Sequence, residues 1–326
     1  GIGGSVRAWR SHGDEAEKIP ENFKIIGHTE RSHAAAIANE SQSIYGIQFH
    51  PEVVHTENGV RILKNFVLDI CKAKQEWTME GFIEKTVSEI SKIEGNVLCG
   101  VSGGIDSTVA ALLIHKAIGN RLKCVFVDNG LLRLDEEHEI EKMFKENFAV
   151  NFTPINAKKR FVDGLHGITD PEKKRKIVGE EFVRIFTEFA EKNGPFKWLA
   201  QGTLYPDVIE SGVSKGPAAV IKTHHNVGGL PDWLKLEVLE PLRELYKDEV
   251  RKVAAILGVP KRLLMRHPFP GPGLAVRIIG EVTEKKLHIC KIASKIVEEE
   301  LEIAGWYDKV WQAYAAVGDD KAVGVV

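Results

Sequence analysis

The stretch of sequence that decides the fold reads VLCGVSGGIDSTVAALL, from Val97 to Leu113. Its first residues form a short apolar run typical of a buried strand, and its last residues have the composition of a helix. Between them, Gly103 and Gly104 allow a tight turn whose backbone N–H groups can approach an anion. The sequence therefore predicts a strand, a phosphate-binding turn and a helix whose positive end faces the same anion.

The turn differs from the Walker loop, G-x-x-x-x-G-K-[ST], because it contains no lysine for the terminal phosphates. Instead Ser102, Ser107 and Thr108 supply hydroxyl groups, and Asp106 supplies a carboxylate. A carboxylate repels phosphates unless a divalent cation lies between them, so the pattern implies Mg²⁺ at Asp106. One chemistry that fits is capture of the β- and γ-phosphates of ATP as a leaving group, which yields AMP and pyrophosphate. A Gly-rich turn that binds no ligand is the alternative.

From Thr78 onward, apolar runs alternate with amphipathic helical segments. Strands are predicted at 96–101, 122–130, 150–156 and 196–202, and helices at 106–119, 135–148, 171–193 and 283–304. This alternation predicts an α/β fold with a parallel sheet that is covered on both faces. Ligands of such sheets bind at the carboxyl ends of the strands.

The region before Thr78 has a different pattern. Short strands are predicted at 25–30, 34–40 and 43–50, followed by a helix whose apolar face comprises Val60, Leu63, Phe66, Val67 and Ile70. A polar stretch after this helix predicts a linker.

Bulk composition excludes several classes of protein. The chain has 326 residues, which suits about two domains, and its net charge of −2 gives no general attraction to nucleic acid or anionic membranes. No apolar run reaches the ~20 residues that span a bilayer, and the first residues do not resemble a signal peptide. The four cysteines lie singly, which is typical of a reducing compartment, so a cytoplasmic protein is expected.

The S-G-G-x-D-S turn resembles the phosphate loop of the ATP pyrophosphatases, which are adenine nucleotide alpha hydrolase-like enzymes. These enzymes adenylate an oxygen of their substrate, and a nitrogen or sulfur nucleophile then displaces AMP. The resemblance implies such a domain over residues 75–267. It implies ATP contacts from Gly100, Val101, Ser102, Gly103, Gly104, Ile105, Asp106, Ser107, Thr108 and Val127. The turn alone does not choose the substrate.

Three further stretches are similar to the glutamine-hydrolysing GMP synthetases. They are KWLAQGTLYPDVIES at 197–211, IKTHHNVGGLP at 221–231 and RHPFPGPGLAVR at 266–277. The resemblance implies amination of xanthosine monophosphate (XMP) to GMP through an adenyl-XMP intermediate, with glutamine or ammonia as the nitrogen source. It implies XMP contacts at Lys222 and Arg277. Arg266 and His267 are further candidates for binding a nucleotide phosphate.

WRSHGD at 9–14 and FHPEV at 49–53 resemble the carboxyl-terminal part of a class I glutamine amidotransferase domain, assigned to residues 1–74. His50 and Glu52, two residues apart on a strand-like segment, would belong to a nucleophile–His–acid triad. Taken alone, such a pair is usually a surface pair. No cysteine precedes Cys71, which follows the dyad on a helix. We therefore expect that the chain starts inside this domain and has no glutaminase activity.

Residues 268–326 resemble the start of the α+β dimerisation domain of the GMP synthetases, which helps to close the XMP site. The sequence is expected to stop before this domain is complete, and the full-length protein is expected to form a homodimer. Two alternatives stay open: another adenylating amidoligase such as an NAD synthetase, and a non-catalytic nucleotide-binding module.

Overall fold

The computed structural model of the chain describes residues 3–212 and 236–319. It divides into two compact units, Gly1–Thr78 and Met79–Val326. Residues 268–319 fall within the second unit, and the domain boundary predicted at 267/268 stays a prediction. Among the described residues, no helix is long and apolar enough to cross a membrane.

The first unit contains a three-stranded antiparallel sheet in the order β1-β2-β3. Its strands are β1 (Lys24–Gly27), β2 (Ala36–Asn39) and β3 (Ile44–Ile47), each within its predicted segment or beginning one residue before it. Helix α1 (Gly59–Lys64) then continues into a wider π-helical turn, Asn65–Ile70. The predicted helix is thus confirmed, but its last turn is not α-helical.

The apolar face predicted on this helix remains largely exposed within the described residues. Val60, Leu63, Phe66 and Val67 are all solvent-exposed, and only Phe66 has an aromatic neighbour, Tyr45, at 6.1 Å between ring centroids. Three short strands present too little surface to cover such a face.

The second unit is built on a five-stranded parallel sheet in the order β6-β5-β4-β7-β8. The strands are β4 (Val97–Gly100), β5 (Leu122–Asp128), β6 (Phe152–Asn156), β7 (Trp198–Ala200) and β8 (Glu237–Leu239). The four predicted strands are confirmed, and β8 was not predicted. Strand order reverses between β4 and β7, which places a crevice at the carboxyl ends of these two strands.

Nine helices are described in the second unit. They are α2 (Met79–Ser91), α3 (Ile105–Ile118), α4 (Glu136–Asn147), α5 (Lys158–Gly164), α6 (Pro171–Asn193), α7 (Tyr205–Gly212), α8 (Lys247–Ile256), α9 (Lys261–Leu264) and α10 (Glu284–Ile303). The carboxylate of Asp170 accepts a hydrogen bond from the Lys173 N–H, and Thr283 caps α10 in the same way. Predicted helix starts at both positions are confirmed.

The sheet is buried on both faces, as predicted. Val97 and Cys99 of β4 belong to a core cluster that includes residues of α2, α3 and α8. Leu98, between them, belongs to a second cluster that includes residues of α6 and α10. Alternate side chains of one strand therefore face two separate hydrophobic layers, which fixes β4 and the turn that follows it.

Candidate active site

The predicted phosphate turn lies between β4 and α3. Gly103 has a φ of +75°, and a Cβ atom there would lie 2.2 Å from Cδ1 of Ile140. Gly104 precedes the first residue of α3, so the N-terminus of this fourteen-residue helix opens at the turn. Both the backbone conformation and the packing therefore require glycine at 103.

Two hydroxyl groups converge on the mouth of the turn. The Oγ atoms of Ser102 and Ser107 are 3.2 Å apart, and the Ser107 hydroxyl accepts a 3.2 Å hydrogen bond from the Ser102 N–H. The Gly104 N–H donates to Ser102 Oγ over 3.3 Å. These bonds are long, so an anion that accepts from the same donors can replace them at little cost.

Thr108, predicted to contact the phosphates, turns inward. Its side chain is 0% exposed, and its hydroxyl donates to the Gly104 carbonyl over 2.8 Å. The Thr108 N–H donates to the same carbonyl. Both donors are used inside the helix in this structure, and the phosphate contact of Thr108 stays a prediction.

The side chains of the remaining predicted ATP residues are buried or closely packed, so only their backbone could face a ligand. Val101, Ile105 and Val127 are buried in the two hydrophobic clusters. At Gly100, a Cβ atom would lie 2.7 Å from the ring of Phe186.

The most informative contact of the site is an ion pair that the sequence did not predict. Lys247 Nζ lies 2.7 and 2.6 Å from the two carboxylate oxygens of Asp106. Lys247 is the first residue of α8 and follows Asp106 by 141 residues. The lysine that the turn lacks in sequence is thus supplied by another helix. No sequence pattern described above pairs the two residues, because they lie far apart along the chain.

The donor set fits a magnesium ion that arrives with a nucleotide. Within residues 3–212 and 236–319, no cluster of three or more His, Cys, Asp or Glu side chains is arranged to hold a metal. Asp106 offers one partly exposed carboxylate at the turn. Mg²⁺ usually binds through one or two carboxylates together with substrate phosphates, which is what this turn provides.

A second group of basic residues lies around the segment RHPFPGPGLAVR. Arg266 pairs with Glu136 at 2.9 Å and with Glu139 at 2.8 Å. His267 is buried and stacks on Tyr307, with ring centroids 3.9 Å apart. The charge of Arg266 is therefore already paired with protein carboxylates, and the ring of His267 is packed against Tyr307.

Arg277 differs from both. Its side chain is 5% exposed, and neither Nη1 nor Nη2 has a hydrogen-bond partner among the described residues. The guanidinium lies 4.9 Å from the ring centroid of Phe269 and 4.5 Å from that of Tyr314. Burial, and next the charge of Arg133, lower the pKa of Arg277. Burying a cation whose donors lack partners is costly, which makes Arg277 a candidate for binding an anion.

Arg133, which the sequence did not single out, lies close by. Its Nε is 3.2 Å from Glu298, its Nη2 donates to the His267 carbonyl over 2.9 Å, and it too packs against Phe269. It follows the end of β5, where ligands of parallel sheets bind, so its position in the sequence could have identified it as a candidate.

Arg133 also lines a cavity of about 450 Å³, together with Arg266, Lys291, Lys295, Glu298 and Tyr307. The same lining also includes the carboxylates of Asp135, Glu139, Glu302 and Asp308. The other predicted XMP residue, Lys222, lies outside the described residues.

The predicted dyad of the first unit is formed. His50 Nδ1 lies 2.8 Å from Glu52 Oε1 on the surface of this unit. A hydrogen bond from its own backbone amide, and next the bond with His50, lower the pKa of Glu52. The second ring nitrogen of His50 contacts Ser11 Oγ at 2.9 Å. Ser11 belongs to the WRSHGD motif, but its contact with His50 was not predicted.

Comparison with known families divides the chain in the same order. The family described as Glutamine amidotransferase class-I matches residues 1–70, and the family described as NAD synthase matches residues 77–182. Among solved structures, an NMN synthetase from Francisella tularensis is similar, with a TM-score of 0.46, 17% identity, and coverage of 72% of this chain and 94% of that one.

Curated relatives match over nearly the whole chain. A GMP synthase (glutamine-hydrolyzing) from Nitratidesulfovibrio vulgaris is 53% identical over 100% of this chain and 64% of its own length. The corresponding enzyme of Caldicellulosiruptor saccharolyticus has the same identity and coverages. That of Clostridium acetobutylicum is 52% identical over 98% of this chain and 62% of its own length. The chain thus spans somewhat less than two thirds of the relatives that it matches.

Proposed function

We propose that the chain belongs to the family of glutamine-hydrolysing GMP synthases, to which its curated relatives at 53–54% identity belong, and that the complete protein aminates XMP to GMP at the expense of ATP. ATP would be cleaved to AMP and pyrophosphate, and glutamine or ammonia would supply the nitrogen. The observation that carries the proposal is the meeting of Ser102, Ser107, Asp106 and Lys247 at the carboxyl end of β4.

These groups have complementary roles toward a triphosphate. The hydroxyls of Ser102 and Ser107 and the Gly104 N–H donate to the β- and γ-phosphates, and Lys247 supplies the positive charge. Asp106 would hold Mg²⁺, which neutralises phosphate charge when bound. Before that ion binds, Asp106 is paired with Lys247. When nucleotide and metal bind, Asp106 would exchange Lys247 for Mg²⁺, and Lys247 would exchange Asp106 for a phosphate group.

The reaction then follows from which phosphate groups are held. With the β- and γ-phosphates fixed, the C2 oxygen of XMP forms a bond to the α-phosphorus, and the bond from that phosphorus to the bridging oxygen breaks. Pyrophosphate leaves and adenyl-XMP remains. The nitrogen of ammonia attacks C2, AMP departs with the former C2 oxygen, and the nitrogen loses its surplus proton to give GMP.

Arg277 is the residue that we assign to XMP binding, and Arg133, whose guanidinium is paired with Glu136 and Glu298, lies beside it. Nη1 and Nη2 of Arg277 are buried and have no hydrogen-bond partner among the described residues. Both guanidinium groups pack against the ring of Phe269, at 4.3 and 4.9 Å from its centroid. Lys222 stays a prediction from the sequence resemblance.

We assign the His50–Glu52 pair to the glutaminase half-reaction of the complete protein. Glu52 orients the imidazole through Nδ1, which leaves the other ring nitrogen for a nucleophile. Among the residues of this chain no cysteine precedes the pair, so we infer that the chain by itself does not hydrolyse glutamine.

We also infer that the complete protein forms a homodimer through α10. Ile289, Ile292 and Ile296 are exposed at helical spacing on this helix, and Trp306 and Trp311 are exposed just after it. The four free cysteines are compatible with the cytoplasmic location expected for an ATP-dependent enzyme.

The test is a product analysis with the full-length protein. With Mg²⁺, ATP, XMP and ammonia, we expect AMP, pyrophosphate and GMP in equal amounts. ADP in place of AMP would contradict the proposal, and ATP binding without AMP formation would favour a regulatory module. Because residues 77–182 match the NAD synthase family, the same assay with deamido-NAD in place of XMP separates the two ligases.

A further inference from the structure

A buried lysine lies behind Arg277. Lys174, in the first turn of α6, is 1% exposed and is among the largest fully buried side chains. Its ammonium donates to the carbonyl oxygens of Ala275, Ile278 and Gly280 at 3.2, 2.7 and 2.6 Å. All three donors of the group are thus used, and all three acceptors belong to the segment that contains Arg277.

This arrangement is unfavourable for stability on three counts. An ammonium group is removed from water with no carboxylate among its hydrogen-bond partners, which is costly. It lies near the N-terminus of α6, where the helix dipole repels a positive charge. Its pKa is lowered by burial and next by the charge of Lys286. A lysine kept under these conditions requires an explanation other than stability.

The other contacts of the segment supply one. Its start is fixed where the Leu274 N–H donates to the Leu131 carbonyl over 2.8 Å. Further along, the Val317 N–H donates to the Arg277 carbonyl over 3.0 Å, and the Ile279 N–H donates to the Val317 carbonyl over 2.8 Å. Lys174 then gathers three carbonyls on either side of Arg277. The backbone around Arg277 is thus fixed by hydrogen bonds to two of its N–H groups and four of its carbonyl groups.

We propose that Lys174 is a positioning residue for the anionic substrate of Arg277: it fixes the 275–280 backbone so that Nη1 and Nη2 of Arg277 are presented to that substrate. The inference rests on the proposed function, in which the substrate is XMP. Without Lys174 the three carbonyls need new partners, the segment shifts, and the guanidinium moves with it. Displacements of about 1 Å at such sites lower activity by up to ~10²-fold.

The experiment is Lys174→Met in the full-length protein, assayed by pyrophosphate release with ammonia. We expect the KM for XMP to rise roughly 10- to 100-fold while the KM for ATP stays within about twofold of wild type, because the hydrogen bonds of the phosphate turn described above do not involve this segment. Lys173→Met, an exposed neighbour in the same helical turn, is the matched control and should change neither KM. A merely structural role would lower thermal stability without separating the two KM values.

A double-mutant cycle with Arg277→Gln tests whether Lys174 acts through Arg277. We expect the double variant to be no worse than Arg277→Gln alone in its KM for XMP; fully additive effects would contradict the inference. If the Met variant does not accumulate, Lys174→Gln, which keeps two donors, is assayed instead, and an unchanged KM for XMP would overturn the proposal. Wild-type protein that forms no AMP at all would refute the proposed function instead, so the two failures are distinguishable.

Discussion

The two units of this chain each join a carboxylate to a nitrogen base. In the first unit, Glu52 meets His50 at 2.8 Å on an exposed surface, and the two residues are two positions apart. In the second unit, Asp106 meets Lys247 at 2.6 Å across 141 residues, at the end of a sheet buried on both faces. The His50–Glu52 pair requires only the local backbone conformation of residues 50–52, whereas the Asp106–Lys247 pair requires that two helices distant in sequence pack together. That difference predicts how each pair responds to mutation.

The largest effect is expected at Asp106. Asp106→Ala should lower the rate of pyrophosphate release with ATP, XMP and ammonia by about 10³-fold, because the magnesium ion would lose its protein ligand and the phosphate charge would be left without this compensation. Asp248→Asn, an exposed carboxylate beside Lys247 in α8, is the control and should retain activity. Unchanged pyrophosphate release in Asp106→Ala would exclude its metal role.

Lys247 should have the next largest effect. Lys247→Met removes the charge that we assign to the departing pyrophosphate, so kcat/KM for ATP should fall by about 10²-fold. Because the same change frees the Asp106 carboxylate from its partner, half-maximal activity at saturating ATP should require less Mg²⁺ than in wild type. Lys252→Met, on an exposed lysine of the same helix, should change neither quantity. A higher Mg²⁺ requirement would show that Lys247 does not compete with the metal.

The two pairs also show what sequence patterns can predict. The strand, the turn and the start of α3 follow from a local run of residues, and the caps at Asp170 and Thr283 follow from short-range hydrogen bonds. His50 and Glu52 were predictable as partners because they are close in sequence. In each case the information lies within a few residues.

What the sequence could not provide depends on long-range packing or on side-chain direction. Lys247 reaches Asp106 only because α8 packs beside α3. Arg133 and Arg277 meet at Phe269 from distant parts of the chain. Thr108 has the right chemistry for a phosphate ligand, but its hydroxyl bonds back to the preceding helical turn. Local sequence patterns predict none of these three contacts.

A smaller effect, on stability, is expected at the turn itself. Gly103→Ala should lower the free energy of unfolding by about 2–4 kcal/mol, because it combines a positive φ with a clash against Ile140. Gly104→Ala is the matched control. Gly104 lies outside the positive-φ region, and the nearest atom to its Cβ would be Ser102 Oγ at 3.3 Å. Urea denaturation of both variants measures the difference, and equal losses would contradict the packing that we describe.

The smallest effect is expected at the surface pair. The pKa of Glu52 is lowered, so the contribution of this carboxylate to stability is present above its ordinary pKa and decreases as the pH falls through the lowered value. Solvent screens an exposed group, however, so the thermal midpoints of wild type and Glu52→Gln should agree at pH 7 and at pH 5. A clearly lower thermal midpoint of Glu52→Gln at pH 7 would show that the His50–Glu52 pair stabilises the first unit. Neither protein should release glutamate from glutamine, since no cysteine precedes His50 in this chain to serve as its nucleophile. Glutamate release by wild type that is lost in Glu52→Gln would mean that another group of this chain, Ser11 first among them, acts as the nucleophile.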